Sequence, residues 1–164
     1  MEIKTVAGPG VGGIHPAEIV VTVKAQEALT RNDICQFDFF TAGSTTMNPG
    51  EDTSPFYLVR DPDAEGTSLR TLSCGIFGVA QEDIAANATG KVMLRGITNM
   101  NVDASTAKGS CLVPATDGQG DIATGGTNLK VIAIALEADT SNVSKVLFDG
   151  LAGFGNDVGS NLST

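Results

Sequence analysis

Residues 91–98 read KVMLRGIT, and the two residues before them are Thr89-Gly90. A Gly-led turn running into alternation, with Val92, Leu94 and Gly96 on one face and Met93, Arg95 and Ile97 on the other, predicts a β-strand rather than a helix. Working outward, short β-branched or apolar runs recur roughly every ten residues, a spacing that predicts a β-barrel or sandwich. Upstream these are Ile19 to Lys24, the turn-then-strand stretch Ala28 to Phe40, Phe56 to Arg60, and Leu69 to Ala80 with its apolar run from Cys74. Downstream they are Cys111 to Val113, Asp121 to Ala123, Leu129 to Glu137 and Lys145 to Phe148. Only Gln81 to Ala88 reads as helical, for about two turns. No internal repeat stands out, although ALTRNDICQFDF (28–39) echoes STAKGSCLV (105–113) as a turn followed by a strand.

The expected class is therefore all-β: a small barrel or sandwich over residues 19–150, with at most one short helix. Residues 1–18 carry Gly8, Pro9, Gly10, Gly12, Gly13 and Pro16, a density that opposes helix and regular pairing and predicts an extended arm. Residues 151–164 form a glycine-containing tail, and Thr41 to Ser54, with Asn48-Pro49-Gly50, an exposed excursion.

Composition narrows the function. A chain of 164 residues can bury about 70% of the surface its unfolded form exposes, enough for a core without staples. Twenty glycines fit a chain of many tight turns. A net charge of −9 lacks the basic footprint that phosphate binding needs, so no nucleic-acid partner is expected. With no Trp, one Tyr and seven Phe, a central aromatic hot spot is disfavoured. The three cysteines, Cys35, Cys74 and Cys111, show no CxxC and sit among apolar neighbours, which predicts reduced, buried thiols. No apolar run approaches the roughly 18 residues of a membrane span, and Met1 to Val11 lacks a signal-peptide core, so neither membrane nor secretion is expected and the chain should stay in the cytoplasm where it is made.

The motifs that could carry chemistry fail on context. Gly8, Gly10 and Gly13 spell GxGxxG, but Pro16 and the β-branched run from Ile19 stand where the phosphate-binding helix would begin. Asp61, Asp63, Glu65 and Gly66 open like a calcium loop, yet Leu72 occupies the position of the bidentate Glu; this excludes an EF-hand and leaves a polar turn, with an ion at that loop as the alternative. His15, the one histidine, lies between Ile14 and Pro16 without a nucleophile signature, and neither it nor the cysteines has zinc-ligand spacing. Glu82 and Asp83 suit the first turn of a short helix better than an acid–base pair. The triplets at Asn87, Asn142 and Asn161 read as polar loops. No catalytic residue, metal or cofactor is expected, and the protein reads as a non-enzyme.

The stretch GVAQEDIAANATGKVMLRGIT (78–98) resembles the capsid cement proteins of tailed phages, in which an apolar strand, a short acidic Ala-rich turn and a Gly-x-Val strand follow in that order. AKGSCLVPATDGQGDIA (107–123) and VIAIALEADTSNVSKVLFDG (131–150) continue the resemblance, which covers somewhat under half the chain. Two positions depart from the pattern: Ser110 stands where such proteins often carry Asp, and Ile134 where Gly is common before Ala-Leu-Glu. The resemblance implies a virion structural protein on the capsid outer surface, assembled in the host cytoplasm. Its implied partners are the major capsid protein and further copies of itself in a homotrimer at three-fold or local three-fold positions. The arm and the excursion would supply capsid contacts, with Ile3, Val6, Val11, Ile14, His15 and Asn48 as candidates. Ordering an arm costs about 1–2 kcal/mol per residue, so it would order only where it gains strand partners or apolar contacts. The alternative is a host-surface glycan-binding module of a head fibre or tail spike; scarce aromatics argue against it.

Overall fold

The computed structural model describes residues 18–37, 57–62, 75–103, 105–115, 118–124 and 130–155. Nine strands form one continuous hydrogen-bonded system: β1 (Ile19–Ala25), β2 (Ile34–Phe37), β3 (Tyr57–Arg60), β4 (Phe77–Ala80), β5 (Thr89–Asn101), β6 (Cys111–Pro114), β7 (Gly120–Ile122), β8 (Ala133–Ala135) and β9 (Val143–Asp149). There is no α-helix among the described residues. The first five strands close on themselves in the order β1-β3-β2-β4-β5, with β5 returning to β1. All contacts of this barrel are antiparallel except the parallel β1–β3 pair.

β5 is long because it serves twice. Thr89 to Arg95 pair with β1, while Arg95 to Asn101 pair with β9. The changeover falls at Gly96, whose φ of +140° few L-residues adopt and where a Cβ would lie 3.0 Å from Glu18 Cγ and 3.1 Å from Met93 Sδ. From β9 the sheet continues through β8 and β6 to β7. A parallel bridge between Val102, just after β5, and Gly120 of β7 closes this second ring.

The two rings are built alike. In the first, β1 meets β3 in parallel and β5 antiparallel, while β2 lies antiparallel between β3 and β4. In the second, the end of β5 takes the place of β1, and β6, β7, β8 and β9 take those of β2 to β5. Registers agree residue by residue. Ile34↔Val79 becomes Cys111↔Ile134, and Cys35↔Gly78 becomes Leu112↔Ala133. Phe37↔Val59 becomes Pro114↔Gly120, and Val23↔Gly90 becomes Met100↔Ser144. Loops follow suit: Asn32 N donates to Ala80 O, as Gly109 N does to Ala135 O, and both donors have positive φ. Asn87 (φ +63°) and Asn142 (φ +60°) occupy matching turns before the last strand of each ring. The fold is thus internally duplicated, and the 28–39/105–113 echo marks corresponding segments.

Alternation gives each ring its own filling. Val23, Ala25, Cys35, Phe37, Val59, Ala80, Val92 and Leu94 fill the first. Met100, Val102, Leu112, Ile132, Ala135, Val146 and Phe148 fill the second, joined there by Ile34, Phe77 and Val79 from the first ring's outer face. The rings therefore pack together by burying an apolar outer face of one against the interior of the other, at about 1.5–3 kcal/mol per large side chain.

Three sequence expectations need correction. Gln81 to Ala88 is not helical: Leu29 and Ile84 pair across an antiparallel bridge, and Ala88 N closes a tight turn on Ala85 O. Burying Ile84 against Leu29 inside the first ring outweighs the local Ala-rich propensity. The strand expected over Leu129 to Glu137 shrinks to Ala133–Ala135. Cys35 is buried as expected, but Cys111 is exposed because it faces outward where Ile34 faces the neighbouring ring. Cys74 lies outside the described residues.

Candidate interaction surface

The expected capsid-contact residues Ile3, Val6, Val11, Ile14, His15 and Asn48 all lie outside the described residues, as do Asp63 and Glu65. Asp61 is described, and its carboxylate is engaged: Oδ1 accepts from Gly118 N at 3.2 Å, while its own backbone N–H donates to Glu27 Oε1. It thereby ties a loop of the first ring to the β6–β7 connection of the second. Among the described residues no three His, Cys, Asp or Glu side chains are grouped to hold a metal ion.

What the described surface offers instead is an apolar row. Ile97 of β5, Leu147 of β9, Ile134 of β8 and Cys111 of β6 are successive direct cross-strand partners, so their side chains stand side by side on one outer face. Ile97 is 38% exposed, Cys111 is exposed, and Leu147 and Ile134 are half-buried. Charged pairs flank the row. On one side Arg95 Nη2 meets Asp149 Oδ2 at 3.0 Å, and on the other Lys145 Nζ lies 3.9 Å from Glu137 Oε1. An apolar strip with a polar rim has the composition of an interface.

The Arg95–Asp149 pair is anchored from behind. Asp149 is buried, and its Oδ1 also accepts from Leu151 N at 3.2 Å and Ala152 N at 3.0 Å, fixing the turn that leaves β9. Lys130 fixes the same turn from the other side: its buried ammonium donates to Gly150 O at 3.0 Å, Leu151 O at 2.7 Å and Gly75 O at 3.2 Å. Exposed Leu151 and Phe154 follow, with Phe154 N donating to Val131 O.

Sequence reasoning placed Ile97 on the face shared by Met93 and Arg95 but did not single it out. A signal existed, since β5 carries apolar residues on both faces.

The described residues are all-β and present an apolar strip with a charged rim. The family follows from a comparison with family models: the phage cement protein model matches residues 14–149, and the chain belongs to that family. It is thus a phage head structural protein, associated with the virion. A comparison with curated proteins finds no match. Among solved structures the chain is similar to the head fibre gp8.5 N base of bacteriophage phi29, at 11% sequence identity and a TM-score of 0.52, covering 84% of this chain and 98% of that one. At that identity the likeness concerns the fold.

Proposed function

We propose that this protein is a non-enzymatic capsid cement, or decoration, protein that binds the outer surface of the major capsid protein lattice and stabilises the head. The observation that carries the reading is the cement-family match over nearly all of the duplicated barrel. In this reading the chain docks as a homotrimer at three-fold or local three-fold positions, barrels outward. Residues 1–18 form an arm across neighbouring subunits, with Ile3, Val6, Val11, Ile14, His15 and Asn48 as capsid contacts, and residues 151–164 form a tail. Acidity favours solubility at high copy number before docking.

The test is co-sedimentation with expanded heads stripped of decoration, at several salt concentrations. Saturable binding in a fixed ratio to capsid subunits is expected; absence of binding to any matched head overturns the reading. The fold likeness to a head-fibre base supports a second reading, a host-surface glycan-binding module of a head fibre or tail spike. A glycan-array signal without capsid affinity would favour it.

A further inference from the structure

The duplication shows what the exposed row corresponds to. In the first ring the equivalent of Ile97–Leu147–Ile134–Cys111 is Val20–Met93–Val79–Ile34, and these too are successive direct cross-strand partners. Three of its four members are covered, Val79 and Ile34 at 0% exposed and Met93 at 5%, while Val20 at the end of the row is half-buried. Its cover is the second ring, since Ile34 and Val79 belong to the cluster built around Met100, Leu112 and Phe148. One unit of this fold therefore offers an apolar row, and the next unit of the same fold takes it. The second ring keeps the row apolar and flanks it with charge, and among the described residues no third unit covers it.

From this equivalence we infer that the row Ile97, Leu147, Ile134 and Cys111 is the self-association surface of the protein, and that its occupant is a second copy of this chain. The argument is continuity with an interface already present inside the molecule. A second copy brings the same unit fold that recognises the row within the chain. Because the first ring's own row is already occupied, the contact joins unlike surfaces, and a contact between unlike surfaces closes into a ring or grows into a filament. Closure over three copies gives the homotrimer of the proposed function. The inference rests on that part of the reading and names the surface that carries it.

The experiment is the mass in solution of the full chain by light scattering, with three proteins compared. The wild type is expected as a closed oligomer of the 16.8 kDa chain. Ile97→Glu, which places a carboxylate in the row at an exposed position, is expected to be monomeric with unchanged circular dichroism and melting. Asn99→Glu, on the same strand beside the row, is expected to keep the wild-type mass. Alkylation of Cys111, followed by peptide mass spectrometry, is expected to be at least tenfold slower in the wild type than in Ile97→Glu. A monomeric wild type, or an Ile97→Glu protein that keeps the wild-type mass, overturns the inference. So do equal Cys111 rates. Sedimentation of the same proteins with stripped heads separates the two claims. A wild type that oligomerises through the row but never binds heads overturns the cement reading alone. A monomeric wild type whose head binding is lost on Ile97→Glu makes the row a capsid contact and overturns the self-association.

Discussion

The Asn101 side-chain amide donates to Asp33 Oδ1 at 2.7 Å, joining the last residue of β5 to the turn before β2. The same two loops are joined by the backbone, since Asn101 N donates to Asn32 O at 2.9 Å. Asp33 Oδ2 meanwhile accepts from Thr30 N at 2.6 Å, so one carboxylate holds its own turn and the neighbouring ring. Asn101→Ala should leave the turn intact but remove the inter-ring hydrogen bond to a charged group, costing about 1.5–3 kcal/mol. Urea unfolding checks it; a loss below a few tenths of a kcal/mol would mean that water replaces the amide.

Gly150 is expected to be among the least substitutable positions. A Cβ there would lie 2.0 Å from Phe77 O and 2.7 Å from Phe77 C, which are backbone atoms of β4. The close approach is what lets Phe77 N donate to Gly150 O at 3.1 Å. Gly150→Ala must push the turn after β9 away from β4, at about 1–3 kcal/mol or more for overpacking. Gly109→Ala serves as the contrast: nothing lies within 4 Å of its Cβ, and only its φ of +90° opposes the change. Thermal melts of the two variants should rank Gly150→Ala well below Gly109→Ala.

Cys35 should make stability fall in alkali. Burial is the main cause of its raised pKa, from 9.0 to about 12, with a smaller opposing contribution from the hydrogen bond its thiol makes to Gly78 O. In the unfolded chain the thiol ionises near pH 9, while the folded protein keeps its proton. Between these values the folded state binds more protons, so stability declines as pH rises, by up to about 1.4 kcal/mol per pH unit. The contribution is fully present below pH 9 and lost by pH 12. Comparing urea midpoints of wild type and Cys35→Ala at pH 8 and pH 10.5 isolates it. The variant starts less stable because of the cavity, and the gap should narrow in alkali; a constant gap would mean the thiolate is accommodated.

The duplicated turns give a paired test. Asn87 and Asn142 each hold the left-handed conformation in the turn before the last strand of a ring, where a β-branched residue costs roughly 1–2 kcal/mol. Asn87→Val and Asn142→Val should destabilise by similar amounts, and the corresponding Gly variants should stay near wild type. Unequal losses in the Val pair would show that the two turns bear different strain.

Much of the architecture was legible because period-2 alternation and turn residues are local properties. β1, β2, β3, β5, β6 and β9 sit inside or around the stretches expected from the sequence. Gln81 to Ala88 misled because eight residues with helical composition are held by long-range contacts that composition does not show, among them Leu29 with Ile84, Ala25 with Asn87 and Ala88, and Arg31 N with Asp83 Oδ1. Cys111 misled because its apolar neighbours describe a strand, not which face of it is covered. Beyond the 28–39/105–113 echo the duplication is not legible in the sequence, because corresponding positions share burial and register rather than identity: Val23 matches Met100, Leu29 matches Thr106, and Phe37 matches Pro114. The capsid contacts expected in the arm lie outside the described residues, and the exposed row needs the cross-strand register, since its four members come from four separate segments.

The sharing of β5 also bears on how such a chain could have arisen and how it can be cut. Two complete copies of a five-stranded unit would need ten strands, and the described residues form nine because the closing strand of one unit is prolonged into the opening strand of the next. The second unit therefore has no beginning of its own. Truncation after Arg95 removes it whole, whereas no boundary releases it intact without taking a strand from its neighbour. A tandem duplication fused in this way is asymmetric: either half can diverge in its outward side chains, but only the first can stand with all its strands when the other is cut away.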